Sequence, residues 1–156
     1  MMSSNKTDAG AAEAYVVLHV EDDSAILRAT QMLLRSAGYR ALTAPTAESA
    51  LEQLQAVKPD VLIVDYQIGG DMTGTEVAEE IAQRCGYRVP TILLTADLAN
   101  ADIPYIPGAP IMLAAKPIDP ERLLKTVEHF AALHRELDRP AATIGRQQSL
   151  EAQRRR

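Results

Sequence analysis

Five short apolar runs, separated by stretches of helical period, set the tightest limit on what this chain can become. The runs are Tyr15–Val20, Tyr39–Ala44, Val61–Val64, Thr91–Leu94 and Ile111–Leu113. Three are nearly continuous in β-branched and aliphatic residues, the pattern of parallel strands buried on both faces. Between the runs the period changes. Ile26, Leu27, Thr30, Leu33, Leu34 and Ala37 share one helical face, with Ser24 as the expected N-cap and Gly38 as the stop. Ala47, Ala50, Leu51, Leu54 and Val57 repeat this after Thr46, and Val77, Ala78, Ile81, Ala82 and Cys85 form a third face. Leu123, Leu124, Val127, Phe130, Ala131 and His134 form the last, opened by Asp119-Pro120 as N-cap and first helical residue. Strand alternating with helix predicts right-handed βαβ units, hence an α/β fold with a doubly wound, five-stranded parallel sheet. Five Tyr, one Phe and no Trp make its core aliphatic.

One crossover breaks the pattern. Between Thr95 and Ile111, Pro104, Pro107 and Pro110 each remove a backbone donor, and a helix interior loses about 3 kcal/mol for each such residue. The expected fourth helix is therefore short or missing, at most one or two turns around Asp97–Ile103, followed by an extended, proline-stiffened loop.

A chain of 156 residues suits one domain and a short tail. The expected division is a disordered N-terminal segment over 1–13, a folded domain over 14–137 and a polar, basic tail over 138–156. The 19 residues of that tail are too few for a DNA-binding module. No apolar run approaches the roughly 20 residues that span a bilayer, and Met1–Ala14 lacks the apolar core of a secretory signal. A cytoplasmic protein is expected. The single cysteine, Cys85, rules out an internal disulfide and a cysteine-clustered zinc site, and reads as a small buried hydrophobe. Charge is uneven. Residues 138–156 carry five Arg against Asp138 and Glu151, a net of +3, which leaves −8 on the other 137 residues of a chain whose total is −5. An acidic body argues against a nucleic-acid groove. Arg154-Arg155-Arg156 reads as a solvated end, with contact to an acidic partner as the alternative.

In a doubly wound sheet, ligands sit beyond the carboxyl ends of the strands, where strand order reverses. The polar residues there are Glu21-Asp22-Asp23 after the first run, Asp65 and then Tyr66-Gln67 after the third, Thr95 after the fourth and Lys116-Pro117 after the fifth. Carboxylates gathered from neighbouring strands repel unless a hard cation joins them. Mg²⁺ fits, with its preference for oxygen ligands and retained water. A lysine and a hydroxyl opposite a metal-bound carboxylate suit a phosphoryl group, whose equatorial oxygens need several positive or donor partners. His19, inside the first run, reads as a packed core histidine.

Four motifs in this order, Val-Glu-Asp-Asp (20–23), Pro-Asp-Val-Leu-Ile-Val-Asp (59–65), Leu-Leu-Thr-Ala (93–96) and Lys-Pro (116–117), resemble the receiver domains of the two-component response-regulator family. The resemblance covers about residues 14 to 137. The Asp-Tyr-Gln segment with Gly69-Gly70 and Met72-Thr73-Gly74 resembles receivers attached to, or partnered with, hybrid histidine kinases. The resemblance implies a flavodoxin-like strand order of 2-1-3-4-5. It implies that Asp65 accepts a phosphoryl group from a histidine kinase or histidine phosphotransfer protein, and that Glu21, Asp22, Asp65 and the Gln67 carbonyl hold Mg²⁺. Thr95, the Ala96 backbone N–H and Lys116 would bind the phosphoryl oxygens. The implied role is a switch of protein–protein interactions with an unidentified downstream protein, with no nucleic acid or membrane partner and with a homodimer allowed. It would not be an enzyme beyond its own phosphorylation and dephosphorylation at Asp65.

Some positions depart from the family pattern. Leu113 stands where many receivers carry an aromatic switch residue three before the lysine, and Gly108-Ala109 is displaced by about one residue. With the fourth helix degraded, output is expected through the 97–110 loop or the first helix. Two other classes compete. A phosphorylation-independent interaction module would need none of these residues. A hydrolase using an aspartyl phosphate would need a proton donor near Asp65, where Gln67 is a poor one.

Overall fold

A computed structural model describes residues 14–102, 108 and 110–136. The segments expected to be disordered or tail-like, 1–13 and 138–156, lie outside the described residues, as does most of the proline-rich stretch, 103–107 and 109. Strands β1 (Val16–Val20), β2 (Arg40–Ala44), β3 (Val61–Asp65), β4 (Thr91–Thr95) and β5 (Ile111–Ala115) form one sheet in the order β2-β1-β3-β4-β5. Every neighbouring pair is parallel. β1, β3 and β4 are buried at all five positions, as their unbroken apolar sequence requires, while edge strands β2 and β5 are only partly covered. The chain runs outward from β1 to β2, then returns to place β3 on the other side of β1. That reversal opens a crevice beyond the strand ends.

Helices α1 (Ser24–Ser36), α2 (Ala47–Gln53), α3 (Gly74–Cys85) and α4 (residues 120–136) cover the two faces. One face buries Leu18, Val20, Leu62, Val64 and Leu93 against Ala50, Val77, Ile81 and Cys85; the other buries Val17, Ile63, Ile92 and Leu94 against Leu34, Leu123, Val127 and Phe130. Each fully buried aliphatic side chain contributes roughly 1.5–3 kcal/mol, so these two layers hold the sheet and fix where its strand ends point.

The caps follow the sequence with one correction. Asp23, not Ser24, is the N-cap of α1: its Oδ1 accepts the N–H groups of Ala25 (2.9 Å) and Ile26 (3.1 Å). A carboxylate one residue earlier satisfies two orphan donors, so Ser24 becomes the first helical residue. Gly38 takes φ +94° after α1, a conformation other residues resist. Thr46 and Thr73 form capping boxes with Ser49 and Glu76. Asp119 Oδ2 accepts the Arg122 N–H at 3.0 Å ahead of Pro120. α2 stops at Gln53, short of the Val57 that its apolar pattern reaches. Turn hydrogen bonds carry the chain on to Val57, and Pro59 disfavours a helical conformation at the next residue, Lys58. Where the short fourth helix was expected, the described residues form a single 3₁₀ turn, Leu98–Asn100. The expected limit, Ile103, lies outside the described residues. At the opposite end of the sheet, buried Asp60 accepts the Val16 N–H and two bonds from Arg135, tying α4 to β1 and β3.

Candidate functional site

Three side chains converge because each leaves a strand at its carboxyl end. Glu21 directly follows β1, extends the ladder through its N–H to Ala44 O (3.0 Å) and is 1% exposed. Asp65 is the last residue of β3 and also buried. Lys116 directly follows β5, its N–H bound to Thr95 O at 2.8 Å. Its Nζ donates to Glu21 Oε1 (2.8 Å) and Asp65 Oδ2 (3.0 Å), joining acids from two neighbouring strands. The remaining oxygens are also engaged: Glu21 Oε2 accepts the Asp23 N–H and Asp65 Oδ1 the Gln67 N–H, both at 3.2 Å. Asp22 stands exposed at the rim, and one carboxylate oxygen each from Glu21, Asp22 and Asp65 lie within 4.8 Å of one another.

The electrostatics are unbalanced, with three carboxylates against one ammonium. Burial holds the Glu21 carboxyl above the usual carboxylate range. Lys116 and the Asp23 N–H oppose that shift, while Asp22 and Asp65 add to it. Burial alone would lower Lys116, but its hydrogen bonds to Glu21 and Asp65 outweigh burial and hold the ammonium above its ordinary value. Lys116 thus stays charged and the cluster keeps excess negative charge. A hard divalent cation with oxygen preference matches both the charge and the donor set, and Mg²⁺ fits it.

The rim supplies donors. Thr95 ends β4, and its strand lies beside that of Asp65, the Tyr66 N–H reaching Leu94 O at 2.7 Å. Its hydroxyl accepts the Asp97 N–H at 3.1 Å, so the chain folds back over Ala96 at the mouth of the crevice. Gln67 forms an isolated antiparallel bridge with Thr73. Sequence reading gives Gly74 no physical role, yet it packs against the end of Asp65's own strand: its N–H binds Tyr66 O at 2.9 Å, and a Cβ here would fall 2.3 Å from Asp65 O.

The response regulator receiver domain model matches residues 17–128. The chain belongs to the response regulator receiver family. It is 37% identical over 92 residues to the transcriptional regulatory protein AfsQ1 of Streptomyces coelicolor, covering 59% of this chain and 39% of that protein. It is 32% identical over 133 residues to the sensory/regulatory protein RpfC of Xanthomonas campestris, covering 82% of this chain and 18% of that one. The chain thus spans well under two thirds of either relative. A crystal structure of the N-terminal domain of a response regulator/sensory box/GGDEF protein from Carboxydothermus hydrogenoformans superimposes with a TM-score of 0.67 at 27% identity, covering 78% of this chain and 97% of that one. The 2-1-3-4-5 order expected from the resemblance is the order observed. Among the described residues, no helix is long and apolar enough to cross a membrane.

Beneath the receiver's acids lies His19, 1% exposed, with neither ring nitrogen hydrogen-bonded among the described residues. The core position matches expectation; the missing partners were not legible. Burial first, then Lys116, push the imidazole down to about 4, with Asp65 opposing. An unfolded histidine titrates near 6.5. The unfolded chain therefore takes up this proton first, and the stability present above pH 6.5 is lost as pH falls toward 4. Replacing His19 with Leu should remove about 2–3 kcal/mol of the stability loss between pH 7 and 4.5. Urea unfolding of both proteins at the two pH values measures this, and equal losses would contradict it.

Proposed function

We propose that this receiver is a phospho-accepting switch of a two-component system or phosphorelay, with Asp65 as the acceptor. The observation that carries the reading is Lys116 bridging Glu21 and Asp65 within a three-carboxylate cluster. In this reading, Glu21, Asp22, Asp65 and the Gln67 carbonyl hold Mg²⁺, which when bound neutralises charge on the phosphoryl oxygens. An Asp65 carboxylate oxygen forms the new P–O bond as the donor's P–N bond breaks, and the donor histidine leaves with that bond's electron pair. The Gln67 N–H and Lys116 orient the Asp65 carboxylate, and positioning of this kind is most of what phosphoryl transfer requires. Lys116, the Thr95 hydroxyl and the Ala96 N–H then receive the added oxygens. The donor is a histidine kinase or phosphotransfer protein, and the added charge of about −2 biases a two-state equilibrium read by a downstream protein.

Incubation with Mg²⁺ and acetyl phosphate, followed by intact mass, tests the reading. One phosphoryl group per chain is expected, and none when EDTA replaces Mg²⁺. No gain in Mg²⁺ would favour a phosphorylation-independent module, and rapid repeated consumption of the donor would favour a hydrolase.

A further inference from the structure

Position 113 is a leucine, so an aromatic must act elsewhere if one relays the state of this site. The structure offers Tyr66. It directly follows Asp65, and its hydroxyl accepts the backbone N–H of Asp102 at 3.2 Å across 36 residues of sequence. Side chains alternate along strands. Tyr66 therefore faces the same side as Val64, and Thr95 the same side as Leu93, both members of one core cluster. The register that pairs Asp65 with Leu94 brings Tyr66 level with Thr95. Leu113 packs on the same cluster from β5, opposite Leu93. Tyr66 thus flanks Thr95 from the β3 side, where an aromatic at 113 would flank it from the β5 side. The segment from Thr95 to Asp102 is pinned near both ends, by the Thr95 hydroxyl on the Asp97 N–H and by the Tyr66 hydroxyl on the Asp102 N–H.

We propose that Tyr66 is the positioning residue that holds the 95–102 segment in its unphosphorylated place, and that drawing Thr95 toward a group on Asp65 releases the Asp102 N–H from the tyrosine hydroxyl. The inference rests on Asp65 being the acceptor. Tyr66→Phe keeps the ring packing and removes only the tie. The segment should then sit nearer its phosphorylated place before any phosphoryl arrives, and affinity for a phosphoryl mimic should rise by about two- to tenfold, the weight of one such hydrogen bond.

Amide NMR spectra of wild type and Tyr66→Phe, with Mg²⁺ alone and with Mg²⁺ and beryllofluoride, test this. The Gln67 amide, bonded to Asp65, reports whether the mimic binds. The wild-type Asp102 amide should move on binding, and in Tyr66→Phe without mimic it should already lie displaced toward the bound position. A responding Gln67 amide with an unmoved Asp102 amide, or mimic affinity unchanged by the substitution, would overturn the inference while leaving the acceptor role of Asp65 intact. If Gln67 does not respond either, the acceptor reading fails and the inference falls with it.

Discussion

Replacing Lys116 with Met should destabilise the protein by about 2–4 kcal/mol in the absence of divalent cations, and should sharply slow phosphorylation. The ammonium is the one side-chain cation hydrogen-bonded to Glu21 and Asp65 among the described residues, and Glu21 is almost wholly buried. Removing one partner of a buried ion pair costs about 3–5 kcal/mol, lowered here because Lys116 is itself 21% exposed and water can enter. Burial already raises Glu21, so without Lys116 the carboxyl should take up a proton at still higher pH. The stability gap between variant and wild type should therefore narrow as pH falls through the range where Glu21 protonates. Mg²⁺ should also narrow it, by supplying the missing charge. Urea unfolding with and without Mg²⁺ measures both effects. An undiminished gap in Mg²⁺ would contradict the electrostatic account of the cluster.

Gly74→Ala should be as damaging, for a steric reason. A Cβ 2.3 Å from the Asp65 carbonyl oxygen cannot be accommodated without moving either the start of α3 or the end of β3. Both carry the site, and the neighbouring atoms are backbone. Overpacking of this kind costs about 1–3 kcal/mol and occasionally more; with no side chain to rotate away, about 3 kcal/mol is expected. The displaced Asp65 should also lose its place beside Lys116, so phosphorylation should fall further than stability alone explains. Unfolding free energy and phosphorylation rate, measured on the same preparation, separate the two losses. Wild-type values for both would show that the contact is looser than described.

Much of this architecture could be read from residue periodicity, because parallel strands buried on both faces and amphipathic helices have different periods. β1, β3 and β4 and the α3 face from Val77 to Cys85 follow from that difference, while the reduction of the fourth helix to one 3₁₀ turn among the described residues follows from Pro104, Pro107 and Pro110. The meeting of Glu21, Asp22, Asp65 and Lys116 follows from the position of each at a strand's carboxyl end. Local competition was harder to read. Asp22, Asp23 and Ser24 can all cap a helix, and the choice of Asp23 depends on a turn whose N–H is held by Glu21 Oε2. α2 ends at Gln53 although its apolar pattern runs on to Val57, and no breaker stands at that boundary. Contacts across many residues left no sequence signal. Nothing in a glycine after Thr73 announces the Asp65 carbonyl, and nothing in Tyr66 announces the amide of Asp102.

The two-component reading rests on one chemical claim, that phosphorus ends on the carboxylate held by Lys116. Intact mass of the Asp65→Asn protein after incubation with Mg²⁺ and acetyl phosphate tests it most directly. Asparagine preserves shape and removes the nucleophilic oxygen, so the variant should retain its original mass while wild type gains one phosphoryl group. Equal gain by both proteins would place the chemistry on another residue and contradict the account.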